Sequence, residues 1–349
     1  MLRILHGTNY DFIKAWKWAL GATAAIILAG LLAFVVNPGI NKSIEFTGGT
    51  LVQVHFNQTP DVSRLRAALD AGGLRGAEIT QFGTAQDYTI RAQSAEQVAA
   101  QASGAEGVSR AVQQVLAQSL GPQSFKIERT EAVGPKVGAE LSRNAVIAIL
   151  ISFLVTLIYL AFRFEWRFGL AAVLASAHDI FTTLAFIKLM HLEISLTVIA
   201  AILTVIGYSL NDTIIIFDRV RENLKKYKRD TLYDIMNRSI NETLPRSVMT
   251  HVTTLVATLA LLIFAGEIIR PFAWVMSFGI FTGTFSSIYI AGVALLWIEK
   301  KWPREGVNAG RGLGGSGGVS AAGPAAAPPA PRAARARGQA AASTAPTPR

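Results

Sequence analysis

The chemistry this chain can do rests on very few side chains. Asp212 stands in a stretch, Ile194 to Phe217, that otherwise carries no charge, and its neighbours Gly207, Tyr208, Ser209, Asn211 and Thr213 are small or polar. An ionisable group set in so long an apolar run is costly and is a functional candidate by default. The carboxyl lies about six residues before the stretch ends, roughly 9 Å inside it at helical rise. Such an acid is suited to picking up and releasing a proton; fixing a neighbouring helix is the alternative role. Arg246 follows Pro245 and shares a helical face with Thr250, Thr253 and Thr254. A guanidinium is always protonated, so it serves as a movable counter-ion to a carboxylate or as a snorkelling cation at a helix end. His178 and Asp179 interrupt the apolar stretch Phe168 to Ile187. They either join the same relay or hydrogen-bond between helices. His251, among threonines, reads as an interhelical donor, and Gly279 with Gly283 as a close-packing pair.

These residues need a membrane-spanning frame to position them, and the composition supplies one. Of 349 residues, 51% are hydrophobic and 16% charged, against about 25% charged in average soluble domains. Trp18 to Asn41, Asn144 to Phe162, Ser247 to Gly266 and Pro271 to Ile298 carry no charge at all. Together with the two interrupted stretches they predict six transmembrane helices, since about 20 apolar residues cross the hydrocarbon core. The expected arrangement is an N-terminal segment 1–17, a first span 18–39, a large loop 40–143, and spans two to six within 144–302. A polar loop 218–245 separates the fourth span from the fifth, and a tail occupies 303–349. Lys and Arg crowd the two chain ends and the loops after spans two and four, while the opposite short loops have only Lys188 and Arg270. Both ends are therefore expected in the cytoplasm and the large loop outside. Trp16, Trp18, Trp274, Trp297 and Trp302 sit near span ends as interfacial anchors. The first apolar run is too long for a signal-peptide core and is read as an uncleaved anchor.

Within the large loop, Val52, Val54 and Phe56 alternate with polar residues, as a half-buried strand does. Asp61 to Leu74 reads as a helix ended by Gly72-Gly73, with a strand near Ile79 and another at Tyr88 and Ile90. Ser94 to Leu120 reads as a helix broken near Gly104 to Gly107, and Phe125 with Ile127 marks a last strand. The order β-α-β-β-α-β is the ferredoxin-like pattern. In the polar loop, Thr231 and Asp234 form a capping box. A helix follows with Leu232, Ile235, Met236, Ile240 and Leu244 on one face, lying on the membrane surface or packed under spans four and five. Asp218, Arg219, Arg221 and Glu222 read as solvated ion pairs. The tail is Ala-, Pro-, Gly- and Arg-rich and is expected to be disordered.

The chain has no cysteine, which excludes disulfides and thiolate chemistry. No P-loop, HExxH or GxSxG sequence occurs. No cofactor, metal site or catalytic centre is expected, and an ion gradient is the natural energy source. The net charge of +10 is explained by loop orientation and the tail, so no nucleic-acid partner is expected.

Four segments, in order, resemble one family. Glu45-Phe46-Thr47-Gly48-Gly49-Thr50 looks like an FTGGT segment, and Val133-Gly134-Pro135-Lys136-Val137-Gly138 through Leu141 like a VGPxVGxEL segment. Gly207 to Thr213, continuing through Asp218-Arg219-Val220-Arg221-Glu222-Asn223, and Asn241 to Arg246 with Thr250, Thr253 and Thr254 complete the set. The sequence resembles the SecF family, the smaller membrane subunits of bacterial SecDF complexes, over roughly Phe46 to Trp302. The resemblance implies an α-helical membrane protein: a six-span RND-type half-transporter with one ferredoxin-like periplasmic domain, in the bacterial inner membrane. It implies pairing with SecD, assistance to protein translocation through the SecYEG channel, with YajC and YidC as further partners, and an unfolded exported polypeptide as cargo. It also implies use of the proton motive force, with Asp212 and Arg246 on the proton pathway; Asn211, Thr213, Thr250, Thr254 and Asp179 are read from the sequence as supporting polar residues. SecD would supply a second carboxylate. A small-molecule or lipid exporter on the same core, and a non-transporting scaffold, are the competing readings; one compact loop domain of about a hundred residues argues against the exporter.

Overall fold

The structure is a computed structural model that describes residues 7–92, 105–266 and 268–303, with side chains from 107 onward in the second stretch. Six helices, counted among the described residues, are long and apolar enough to cross a membrane. After a 3-10 turn at Ile13–Ala15, the first span is α1, Trp16–Val36. A four-residue helix α2, Ile44–Thr47, then leads into an α+β domain. That domain comprises β1 Gly49–Phe56, α3 Val62–Ala71, β2 Glu78–Gln81, β3 Asp87–Ala92, α4 Ala105–Leu120 and β4 Phe125–Val133. The remaining spans are α5 Pro135–Arg163, α6 Trp166–Leu189, α7 Leu196–Lys226, α8 Leu232–Phe264 and α9 Arg270–Phe285. A π turn, Ser286–Ala291, joins the last of these to α10, Gly292–Lys301.

The α+β domain has the expected order. Its sheet runs β2-β3-β1-β4 with every neighbour antiparallel, which is the split βαβ arrangement. The alternation of β1 places Val52, Val54 and Phe56 inward, against Leu65 and Leu69 of α3 and Val112 and Leu116 of α4. Asp61 caps α3 by accepting from the amides of Ser63 and Arg64. The expected break near Gly104 to Gly107 is only partly within view: 93–104 lie outside the described residues, and from Ala105 the helix passes through Gly107 without interruption. Residues 304–349 of the tail also lie outside the described residues. At the β1–β3 end, Thr84 holds Asp87 through its hydroxyl and amide while His55 approaches at 2.6 Å, and these bonds keep the Asp87 carboxyl below its usual range.

The spans differ from expectation at their ends. Helix α5 begins with Pro135 at its first turn, well before the charge-free stretch at Asn144. Helix α7 does not stop at Phe217 but continues to Lys226. Its emerging charges are paired across helices, Arg163 with Asp218 and Arg219 with Glu242. The separate loop helix and the fifth span are one helix, α8, in which Pro245 is internal. The surface-lying alternative is thereby replaced. Leu232, Ile235, Met236 and Ile240 are buried with Phe217 and Val220 of α7 and Leu295 of α10. Continuity through Pro245 is tolerated because packing fixes the helix on both sides of it, Ile235, Met236 and Ile240 before it and Ser247 and His251 after it being buried. Thr231 caps α8 through the amide of Asp234, as the capping box requires.

Close approach between spans is made by small residues. A Cβ added at Gly283 would meet Ser209 at 2.9 Å, and one at Gly279 would collide with Val205, so the pair packs α9 against α7. Gly30 of α1 lies as tightly on Ala185 of α6.

Leu69, fully buried under the sheet, provides a check on this core. Leu69→Ala should cost about 2–5 kcal/mol locally, read as faster amide hydrogen exchange in β1 and β3 of the full chain with the spans unchanged. Asp87 gives a second check. Its folded value is depressed, so its contribution is present above the ordinary carboxylate range and is lost as pH falls through that folded value. Asp87→Asn should flatten the acid dependence of β3 exchange protection.

Candidate functional site

Two buried polar groups face each other between α7 and α8. Asp212 is 3% exposed and His251 is 7% exposed. His251 lies one turn beyond Ser247 on α8 and uses Nδ1 against the Ser247 carbonyl at 2.5 Å. A carbonyl only accepts, so Nδ1 carries a hydrogen, and Nε2 is left to face Asp212 Oδ2 at 3.5 Å. Among the described residues neither Nε2 nor Oδ2 makes a well-formed hydrogen bond, and the Ser247 side chain is the other polar group beside the acid. With Nε2 bare and the acid ionised, two lone pairs would oppose each other away from water. A proton placed on either atom turns that opposition into a bond or an ion pair. The Tyr208 ring meets the His251 ring edge-on at 5.3 Å. Its hydroxyl is directed at the Thr250 carbonyl, 3.0 Å, and the Thr254 hydroxyl, 3.1 Å. Thr254 in turn donates to Thr250 O at 2.9 Å. The imidazole is thus held by its own helix and by a tyrosine from the next.

A second buried group lies one turn away. Asp179 on α6 is 1% exposed. Its Oδ1 is 3.1 Å from His178 Nδ1, and its Oδ2 accepts from the Ser209 hydroxyl of α7. Ser209 precedes Asp212 by three residues, and its position is set by Gly283 behind it. Thr182 donates to the carbonyls of His178 and Asp179, at 3.0 and 3.1 Å. The π turn with buried Ser286 and Ser287 lies beside this cluster, Ser286 reaching the Ala175 carbonyl of α6. Single π turns of this kind recur at functional sites.

The sequence-derived residues divide between two surfaces. Asp212, Thr213, Thr250, Thr254 and Asp179 fall on buried or half-buried faces around the site; Thr213 donates to Ser209 O at 3.4 Å. Arg246 and Asn211 are exposed. Arg246 lies within α8 instead of opening a span, one residue before the buried Ser247. Thr204, Gly207 and Asn211 of α7 and Arg246 and Thr253 of α8 are all exposed. Residues underweighted from the sequence are His251, Ser247 and Tyr208. Spacing four from Ser247 to His251 was visible, but spacing on one helix does not say which residue the next helix brings.

The comparisons follow this geometry. Residues 112–301 match the model of the protein export membrane protein SecD/SecF C-terminal family, and 33–60 match the SecD/SecF GG motif. The protein translocase subunit SecF of Gemmatimonas aurantiaca is 63% identical over 305 residues, covering 87% of this chain and 91% of that one. The chain belongs to the SecF family. SecF of Escherichia coli O157:H7 is 37% identical, over 85% of this chain and 90% of its own. The crystal structure of SecDF from Thermus thermophilus, described as a translocon-associated membrane protein, aligns with TM-score 0.73 and 34% identity over 85% of this chain. A super-membrane-facing form of SecDF aligns with TM-score 0.58 and 37% identity. This chain spans 39% of the length of each of those solved chains. Membership of the SecF family and the six apolar helices make this a multi-pass membrane protein with the RND-type half-transporter fold.

The facing pair predicts a spectroscopic signature. In pH-difference infrared spectra of the full chain, the carboxyl band abolished by Asp212→Asn should move in His251→Gln and stay in place in His178→Gln.

Proposed function

We propose that this chain is the SecF half of a SecDF-type complex that uses the proton gradient to complete protein translocation. The observation that carries the reading is the buried Asp212–His251 pair, which needs a proton between its facing atoms and offers two places to keep it. A proton arriving at this pair neutralises or bridges it; its departure leaves opposed lone pairs that the helices relieve by moving. Asp212 is the carrier on this reading, and Arg246 is the counter-ion that approaches the carboxylate when α7 and α8 shift. Thr213, Thr250 and Thr254 hold the helices and the ring in place, Asn211 serves at the exposed edge, and Asp179 steadies the Ser209 turn.

The exposed polar stripe favours a partner. Polar groups on the outside of a span are costly in lipid, and Asn211, Thr204, Arg246 and Thr253 mark where a second half-transporter would cover them. Solved SecDF structures, more than twice the length of this chain, support SecD as that half. SecYEG is then the channel served, with YajC and YidC as further members of the assembly and the unfolded exported chain as cargo. The complex sits in the bacterial inner membrane, with 1–17 and 303–349 cytoplasmic and the domain within 40–143 periplasmic, as the Lys and Arg bias supports. The work is vectorial: no bond in a small substrate is made or broken, and the role is that of a transport subunit.

Export in membrane vesicles tests the reading. Asp212→Asn should assemble normally and reduce gradient-driven completion of export to background. An imposed proton gradient should drive the wild-type complex where a sodium gradient does not. Undiminished export by Asp212→Asn would overturn the proposal.

A further inference from the structure

The helix that carries Asp212 is fastened at its far end to the entry of the α+β domain. The first amide of α7, Leu196 N, donates to the Glu45 carboxylate of α2 at 2.6 Å. Glu45 also accepts from Ser43 Oγ at 3.2 Å. Glu45 thus occupies the positive end of the α7 dipole, beside the helix's own cap, where Ser195 Oγ accepts from Val198 N at 3.3 Å. Just before this, Ile194 pairs with the segment ahead of α2 as in a parallel sheet: Ile194 N donates to Asn41 O at 2.7 Å, and Ser43 N donates to Ile194 O at 2.9 Å. Asn41 Nδ2 reaches the His191 carbonyl. From the sheet itself, Arg91 of β3 pairs with Glu193 in the turn between α6 and α7 and donates to Lys42 O at 3.0 Å.

The other side of α2 is held as firmly. Gly48, at φ +72°, turns the chain from α2 into β1, and a Cβ there would meet Pro135 Cα at 2.9 Å. A Cβ on Gly138 would meet Gly48 N at the same distance. The start of α5 is therefore pressed onto the glycine turn, and β1 begins at the next residue. One four-residue helix touches the outer ends of α5 and α7 and opens directly into the central strand of the sheet. From Leu196 to Asp212 the unbroken helix covers roughly 24 Å, so a shift at Asp212 is delivered to Glu45 by a rigid rod.

We propose that Glu45 is a positioning residue that couples α7 to the α+β domain, with the Lys42–Ile194 pairing and the Arg91–Glu193 pair as the rest of a joint that stays closed throughout the cycle. The inference rests on the proton-driven reading of Asp212. Displacement of α7 along or about its axis would then move α2, and with it β1 and the sheet, without new contacts forming or breaking at the joint.

The test measures proton flux and export together in vesicles that hold the full chain with its partner subunit. Glu45→Ala with Arg91→Ala should lower gradient-driven export about tenfold while flux stays within about twofold, the size of a typical coupling term. Glu45→Asp with Arg91 intact should restore export. Ser195→Ala, which weakens the same helix end without touching the domain, should leave both intact. Because the chain has no cysteine, Lys42→Cys with Ile194→Cys can be oxidised to lock the joint, and the locked complex should export at the rate of its reduced form. Export lost on locking would overturn the closed joint. Flux and export falling together in the Glu45 and Arg91 variants, or neither falling, would overturn the coupling role. Asp212→Asn in parallel separates the two ideas: if it loses both readouts while the joint variants lose neither, the joint alone fails, and if it loses neither, the proton reading fails.

Discussion

The organising constraint is the 3.5 Å gap between Asp212 Oδ2 and His251 Nε2. Because Nδ1 is committed to Ser247, the facing nitrogen has a lone pair to fill, and so does the ionised acid. Water would resolve this cheaply, but both groups are nearly fully buried. The proton count and the helix spacing are therefore tied: one proton between the atoms favours an approach closer than 3.5 Å, and its absence favours separation. Burial makes that tie stronger, because charges interact more strongly away from bulk water.

Burying the site this deeply requires the spans to pack more closely than leucine-lined helices do. That is the role of Gly279 and Gly283 against α7, and of the alanines Ala171, Ala172 and Ala175 on α6. The same closeness brings Ser209 within reach of Asp179, so a second acid is satisfied by a hydroxyl instead of by water. At the other end of α7 the logic reverses. Asp218, Arg219 and Arg221 are only partly buried, and their pairs with Arg163, Glu222 and Glu242 are worth little individually. They allow the helix to continue to Lys226 and give α8 a surface to pack on.

How much of this could be read beforehand depends on whether one segment decides the feature. Charge-free runs marked the spans, because the hydrocarbon core acts on each segment separately. Alternation in β1 and spacing in α3 marked the sheet domain for the same reason, and Thr231 with Asp234 marked the start of α8. Features decided by two segments were not visible. Pro245 ends helices in most settings, and only the burial of Ile235 and Met236 against Phe217 and Val220 explains why α8 runs through it. His251 was recognised as polar within a span, but its partner depended on which faces of α7 and α8 meet. The threonines grouped with Arg246 divide, Thr250 and Thr254 meeting Tyr208 while Arg246 and Thr253 are exposed, and Ser247 begins the face that reaches Asp212.

That last division bears on the proposed pairing with a second half. Its two buried acids have partners within the chain: Asp179 has His178 and Ser209, and Asp212 has His251. Its exposed polar groups, Asn211 and Arg246 with Thr204 and Thr253 beside them, lie on the outward faces of the very two helices that form the site. Arg246 stands five residues before His251, about 1.4 turns and roughly 7.5 Å along α8, so on the proposed reading α8 would have to turn and slide together to exchange the imidazole for the guanidinium at Asp212. Such an exchange of a removable proton for a permanent charge needs a surface on which α8 can rest in both positions. Lipid does not supply one for a guanidinium, and a polar second half does.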